Sequence, residues 1–167
     1  MDKKIVERVL DFHCPRYEEL PDMGLYLEQL LNVLNQKLDL ILTEPITGAM
    51  ISNYVKNRAI PAPDKKKYTR EHLCYAFVIC MLKQVFSVQQ IAAFFVLQRE
   101  TYPLKTAYDY VCTEFENALK AAFLYTGEAL PLIETKRTSQ TILVRSMVLS
   151  AANRVYVDKA LEELQER

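Results

Sequence analysis

Glycine is scarce in this chain: Gly24, Gly48 and Gly127 are the three in 167 residues. So few argue against a turn-rich all-β fold and for helices joined at proline-marked breaks. Long apolar runs are missing too. The longest uncharged one, Leu73 to Leu82, is about half the ~20 residues a membrane-spanning helix needs, and Lys83 ends it. Met1-Asp2-Lys3-Lys4 leads into a short mixed segment without the continuous apolar core of a secretory leader. The four cysteines, Cys14, Cys74, Cys80 and Cys112, include no CxxC pair. Cys74 and Cys80 fall in the apolar run, where a free thiol behaves as a small hydrophobe. These absences point to a reduced, cytoplasmic chain with no membrane segment.

Net charge is also absent, 21 basic groups facing 21 acidic ones. Taken alone, that balance argues against a nucleic-acid partner. The distribution is uneven, however. Residues 45–83 carry Lys56, Arg58, Lys65, Lys66, Lys67, Arg70 and Lys83 against Asp64 and Glu71, a net +5. Residues 1–44 hold 5 basic and 9 acidic groups, and residues 84–167 hold 9 and 10. The positive charge is concentrated in one short stretch, and the rest of the chain would limit non-specific adhesion to polyanions.

Half the residues are hydrophobic, an ordinary globular composition. Their spacing predicts an all-α chain. A short helix is expected over 3–12 and a second over 23–38, the latter capped by Asp22 with Leu27, Leu30, Leu31 and Leu34 on one face. Leu40 to Thr43 reads as a short extended piece or a turn. A third helix is expected over 47–57, with Ile51, Tyr54 and Val55 inward and Met50, Ser52, Asn53 and Lys56 off that stripe. Asn57 would end it. Pro61 and Pro63 force an extended exit, and 64–68 forms a compact loop or tiny hairpin. Thr69 caps a helix to about Val85, with Glu71 well placed near its positive end. Ser87 caps another over 88–97. After Pro103, 106–125 reads as helix, closed by Gly127 and Pro131. A last helix covers 138–164, with Leu143, Met147, Val148, Ala151, Val155 and Leu161 in a stripe too broad for a coiled-coil seam. That breadth suggests packing against the preceding helix. The expected organisation is 1–21 as an N-terminal helix and linker, 22–99 as the main domain, and 100–167 as a helical C-terminal module.

The order of short helix, proline exit, lysine-rich loop and capped helix is that of a helix-turn-helix with a basic wing. Asn53-Tyr54, Ala59-Ile60-Pro61-Ala62-Pro63, Tyr68-Thr69-Arg70-Glu71-His72-Leu73 and Phe86-Ser87-Val88-Gln89-Gln90-Ile91 resemble the DNA-binding domain of mercury-resistance-regulator (MerR) type proteins. Leu20-Pro21-Asp22-Met23-Gly24-Leu25-Tyr26-Leu27-Glu28-Gln29 resembles the "LPDxxLYxxQ" segment of a bacterial domain-of-unknown-function family that pairs it with the same module. The resemblance covers most of 20–97. It implies a winged helix-turn-helix with a tiny wing, double-stranded DNA as partner, and a C-terminal half that dimerises or senses a small molecule. Three positions depart from the MerR pattern. Arg58 stands where the exit has glycine, Ser52 replaces the arginine of the recognition helix, and the wing lacks its "N-G" turn.

On this reading helix 47–57 enters the major groove and the basic wing 61–68 lies on the backbone. Met50, Ser52, Asn53, Lys56, Arg58, Lys65, Lys66, Lys67, Tyr68 and Arg70 are the candidate DNA-binding residues. Asn53 would meet an adenine edge or a phosphate, Ser52 a phosphate, and Tyr68 a sugar or phosphate. The chain would act as a homodimer presenting two heads to one duplex. The competing reading is a non-enzymatic protein-interaction module that keeps the winged shape. No metal, cofactor or enzymatic activity is expected. His72, Cys74 and Cys80 do not converge at helical spacing, and Ser87, Ser139 and Ser146 have no local histidine. Tyr102, Tyr108, Tyr110 and Tyr125, with Phe115 and Phe123, are either plain core or the lining of an effector pocket, and no residue singles out an effector.

Overall fold

A computed structural model describes residues 1–124 and 137–165. Among them are seven α-helices and a short 3-10 turn, with two isolated β-bridges in place of any strand. The helices are α1 (Lys3–Leu10), α2 (Leu27–Leu38), α3 (Gly48–Lys56), α4 (Arg70–Leu82), α5 (Val88–Thr101), α6 (Leu104–Leu124) and α7 (Ser139–Gln165), with the 3-10 turn at Tyr17–Glu19. The all-α expectation therefore holds. Gly127, Pro131 and Tyr125 lie outside the described residues.

Local chemistry explains most helix starts. The Asp2 carboxylate accepts from Lys4 N at 2.9 Å, Thr47 Oγ1 accepts from Met50 N at 3.4 Å, and Ser87 Oγ accepts from Gln90 N at 3.2 Å. Each satisfies an orphan amide of a first turn. At α4 Thr69 is the cap, as expected, and His72 Nδ1 reaches back to accept from Thr69 N at 2.9 Å.

α2 departs from expectation. It begins at Leu27 instead of Met23. Leu25 is held elsewhere: it exchanges two 2.8 Å backbone bonds with Tyr68, forty-three positions away. A residue committed to an antiparallel bridge cannot join a helix, so Tyr26 becomes the cap and Gln29 reaches back to Tyr26 N at 2.9 Å. α5 runs to Thr101, past the expected 97, because Pro103 supplies its first hard stop.

α4 organises the core. Every residue from His72 to Leu82 is buried, the mark of a helix covered on all sides. α2, α5, α6 and α7 all pack on it, and α7 packs along α6, where Phe123 meets Tyr156 edge-on at 5.2 Å. Met147, Val148, Ala151 and Val155 are buried there, whereas Leu143 and Leu161, expected in the same stripe, are exposed. One continuous apolar cluster runs from Val9 to Val155, across the expected boundaries at 21/22 and 99/100. No helix among the described residues is long and apolar enough to cross a membrane.

All four cysteines are free and buried. Cys14 Sγ and Cys112 Sγ touch at 3.0 Å beneath Tyr108, whose hydroxyl donates to the Pro15 carbonyl at 2.8 Å. Burial pushes the Cys14 and Cys74 thiols well up and the Cys80 thiol up to about 12. The thiolate is the reactive form. At pH 8 a thiol reagent is therefore expected to label the native protein slowly and to label all four sites promptly once urea unfolds it. Stoichiometric labelling within the mixing time of the native state would contradict this burial.

Candidate functional site

The candidate site is the segment leaving α3 and entering α4. Ser52, Asn53 and Lys56 are exposed on α3, as expected, while Ile51 and Tyr54 are buried beneath them. Met50 is half-buried and packs against the core. Asn53 is already oriented: Asn57 Nδ2 donates to its Oδ1 at 3.0 Å and to its carbonyl at 2.8 Å, and Gln89 Nε2 from α5 donates to Asn57 Oδ1 at 3.3 Å. This amide chain leaves Asn53 Nδ2 available as an outward donor. Gln89 and Asn57 are thus positioning residues that sequence reasoning missed. Their side chains meet across thirty-two positions of sequence, which no local motif encodes.

The end of α3 answers the question raised by Arg58. Arg58 N donates to Val55 O at 2.9 Å and Ala59 N to Tyr54 O at 3.0 Å, the bond pair of a Schellman cap. Arg58 supplies the left-handed residue that such a cap needs, with φ 57°. The residue departs from the glycine pattern, and the backbone geometry does not.

The segment expected as a compact loop or tiny wing is a two-residue hairpin. Lys67 N donates to Asp64 O at 2.8 Å, and Lys65 and Lys66 between them have φ 45° and 64°. Positive φ at both central residues is the signature of a type I′ turn, whose preferred sequence is Asn-Gly. Gly24 lets the hairpin dock. A Cβ there would meet Lys67 Cβ at 3.1 Å and Cδ at 3.2 Å. The Lys67 ammonium lies over the Tyr26 ring at 5.5 Å.

Two expected contacts are absent from this surface. The Tyr68 ring is buried, edge-on to His72 at 5.6 Å, and burial raises its phenol pKa. Tyr68 anchors the hairpin through its bridge to Leu25 and does not face outward. Arg70 is also occupied: Nε donates to Leu20 O at 3.1 Å, Nη1 pairs with Glu18 at 3.2 Å, and the guanidinium covers the Tyr17 ring at 5.1 Å. It ties the N-terminal segment to α4. The partners of Arg70 lie fifty or more positions upstream and the bridge partner of Tyr68 forty-three, so neither commitment could be read locally.

What remains is Ser52, Asn53, Lys56, Arg58, Lys65, Lys66 and Lys67. Lys56, Arg58, Lys65 and Lys66 form no ion pair among the described residues. Arg58, Lys65 and Lys66 are the non-glycine residues with positive φ among the described residues, and all three are cationic and exposed. Left-handed backbone costs an L-residue about 1–2 kcal/mol. Replacing Lys65-Lys66 by Asn-Gly is therefore expected to raise stability by about 1–2 kcal/mol, read as a higher urea midpoint at unchanged m-value. A lower midpoint would mean that the lysine stems contribute more to the fold than the turn costs.

Among the described residues no group of three or more His, Cys, Asp and Glu side chains could hold a metal ion. The sequence profile of a family described as a domain of unknown function (DUF1836) matches residues 15–111, which takes in the whole α3–hairpin–α4 segment. No curated protein and no solved structure matches the chain.

Proposed function

The chain belongs to the DUF1836 family, and we propose that it is a DNA-binding transcriptional regulator built on a MerR-like winged helix-turn-helix. α3 is the recognition helix and enters the major groove, with Asn53 as the base-edge donor and Ser52 and Lys56 beside it. Arg58 and the hairpin lysines rest on the flanking phosphates. A homodimer would place two such heads on one duplex, and the exposed Val157, Leu161 and Leu164 of α7 offer it an apolar surface.

One observation carries the reading: left-handed cationic residues at Arg58, Lys65 and Lys66, exposed and without ion pairs among the described residues. Backbone strain held at an exposed surface points to a role for the side chains it displays. Here those side chains are positive charges, and neutral Asn-Gly would suit the hairpin backbone better. A polyanion is the partner that rewards them.

A second reading, a protein-interaction module with a repurposed winged shape, is favoured by other facts. Arg70 and Tyr68 are withdrawn from the surface, and Ser52 offers no charge. The nine-residue connection from Asp39 to Thr47 also exceeds the three to four residues usual in a helix-turn-helix. Binding to fragmented genomic DNA, followed by anisotropy across a salt series, separates the two. The regulator reading expects a log–log slope of about −4 to −5, one phosphate per free cation. No binding at low salt would overturn it in favour of a protein partner.

A further inference from the structure

Tyr108, Cys112 and Glu116 stand at successive turns on one face of α6. The strap between α1 and α2, residues 11–26, lies against that helix. Its backbone is tied down on both sides of Cys112. The Tyr108 hydroxyl donates to the Pro15 carbonyl at 2.8 Å, and Glu116 Oε1 accepts from Cys14 N at 2.8 Å. Asp109 adds a third tie, accepting from Tyr17 N at 2.7 Å. Between these ties the Sγ atoms of Cys14 and Cys112 meet at 3.0 Å, both fully buried.

The other two thiols are placed the opposite way. Cys74 and Cys80 are close in sequence but both lie in α4. Six helical residues put them about 9 Å apart along the axis, beyond the ~7 Å that a disulfide can bridge. An unfolded chain prefers the reverse pairing, because a short loop closes at less entropic cost than the one between Cys14 and Cys112, which are 98 positions apart. The fold therefore overrides chain statistics: it joins the distant pair and keeps the near pair apart.

We propose that Cys14 and Cys112 form a reversible disulfide switch that fastens the strap covalently to α6. The sulfurs need to approach by only about 1 Å to reach bonding distance, and Cys14 lies outside any helix. The oxidant is a small disulfide such as oxidised glutathione. One protein thiolate attacks a glutathione sulfur, forming a mixed disulfide and expelling a glutathione thiolate. The second protein thiolate attacks the protein sulfur of that mixed disulfide, closes the Cys14–Cys112 bond and expels the other glutathione. Two protein thiols are oxidised, one glutathione disulfide is reduced to two thiols, and the protein's two protons pass to them. Burial holds Cys14 as the unreactive thiol, so exchange begins when the strap lifts. The far end of the strap carries Leu25, bridged to Tyr68 at the base of the hairpin. In a reducing compartment such a pair is transient and redox-sensing. This inference stands whether or not the chain binds DNA.

The test equilibrates the full chain in buffers of reduced and oxidised glutathione, quenches in acid and maps linked peptides by mass spectrometry without reduction. Equilibrium is approached from the native reduced chain and from chain refolded out of urea, so slow access to the buried pair cannot hide the bond. The expected product links Cys14 to Cys112 and leaves Cys74 and Cys80 as thiols. It should form at a ratio of squared glutathione to its disulfide on the order of a hundredfold above that needed in urea. The link should also slow hydrogen exchange at the Cys14 and Tyr17 amides. Cys112→Ala should abolish it, while Cys74→Ala/Cys80→Ala leaves it intact. Should Cys112→Ala fail to fold, the wild-type map decides alone. Refolded chain that carries only glutathione adducts or stays reduced would overturn the proposal. So would a link no more favoured than in urea, or one that leaves both amides exchanging as before.

Discussion

Alanine at Lys65, Lys66 and Lys67 together is expected to make the slope of log affinity against log salt for duplex DNA shallower by about three. Each phosphate neutralised by a lysine releases condensed counterion, and each contact scales affinity by salt to a power of about −0.9. At about 0.15 M salt that is a factor of roughly five per contact, so three lost contacts weaken binding roughly a hundredfold. Lys65 and Lys66 occupy the tip of the hairpin, exposed and unpaired, while Lys67 stands over Tyr26 at its base. The two tip residues should therefore account for most of the loss. Anisotropy across a salt series, wild type beside variant, is the measurement. A wild type that binds with an unchanged slope in the variant would remove the hairpin from the interface.

The Asn-Gly variant at 65 and 66 makes the test selective. It removes two charges yet relieves left-handed strain at both residues. Stability and affinity should then move in opposite directions: a higher urea midpoint, and binding weaker by roughly thirtyfold from two lost contacts. A purely structural role for the lysines would move the two together. Double-mutant arithmetic with Arg58→Gly extends the argument, since that change keeps the Schellman cap, removes its strain and deletes one more charge.

Legibility in the sequence followed the range of the interactions involved. Thr69 and Ser87 were readable as caps because a capping contact is made within two or three residues of the helix start. The compact loop or tiny hairpin over 64–68 was readable for the same local reason, and the uncharged run from Leu73 to Leu82 marked α4 as apolar. The start of α2 was not. Asp22 and Met23 look like a helix beginning, and only the distant bridge between Leu25 and Tyr68 prevents it. The left-handed turn at Arg58 was hidden because its usual marker, glycine, is missing. The surface itself was half legible. Exposure of Ser52, Asn53 and Lys56 follows from helical period alone. The withdrawal of Arg70 depends on Glu18 and Leu20, and the orientation of Asn53 on Asn57 and Gln89, contacts that exist only once the helices have packed.

Glu116→Ala is expected to cause the largest loss of stability of any single surface-proximal change, about 2–3 kcal/mol. Glu116 on α6 fastens the N-terminal segment. It accepts from Arg16 Nη1 and Nη2 at 2.7 Å each and from Cys14 N at 2.8 Å, and His13 Nδ1 lies 3.3 Å away. Arg16 Nη1 also donates to the Cys14 carbonyl at 2.6 Å. The two charged side chains are only 12% and 26% exposed. Removing the carboxylate leaves a half-buried guanidinium without its counter-charge and a buried amide without an acceptor, which is costlier than the pair is worth. Arg16→Ala should cost less, because the carboxylate it frees keeps the Cys14 amide. The double variant should lose less than the sum of the two, since it strands no charge. Urea midpoints at constant m-value measure all three. Strict additivity, or a Glu116→Ala loss below about 1 kcal/mol, would place the anchoring of the N-terminal segment in the apolar contacts of Val9 and Cys14 instead.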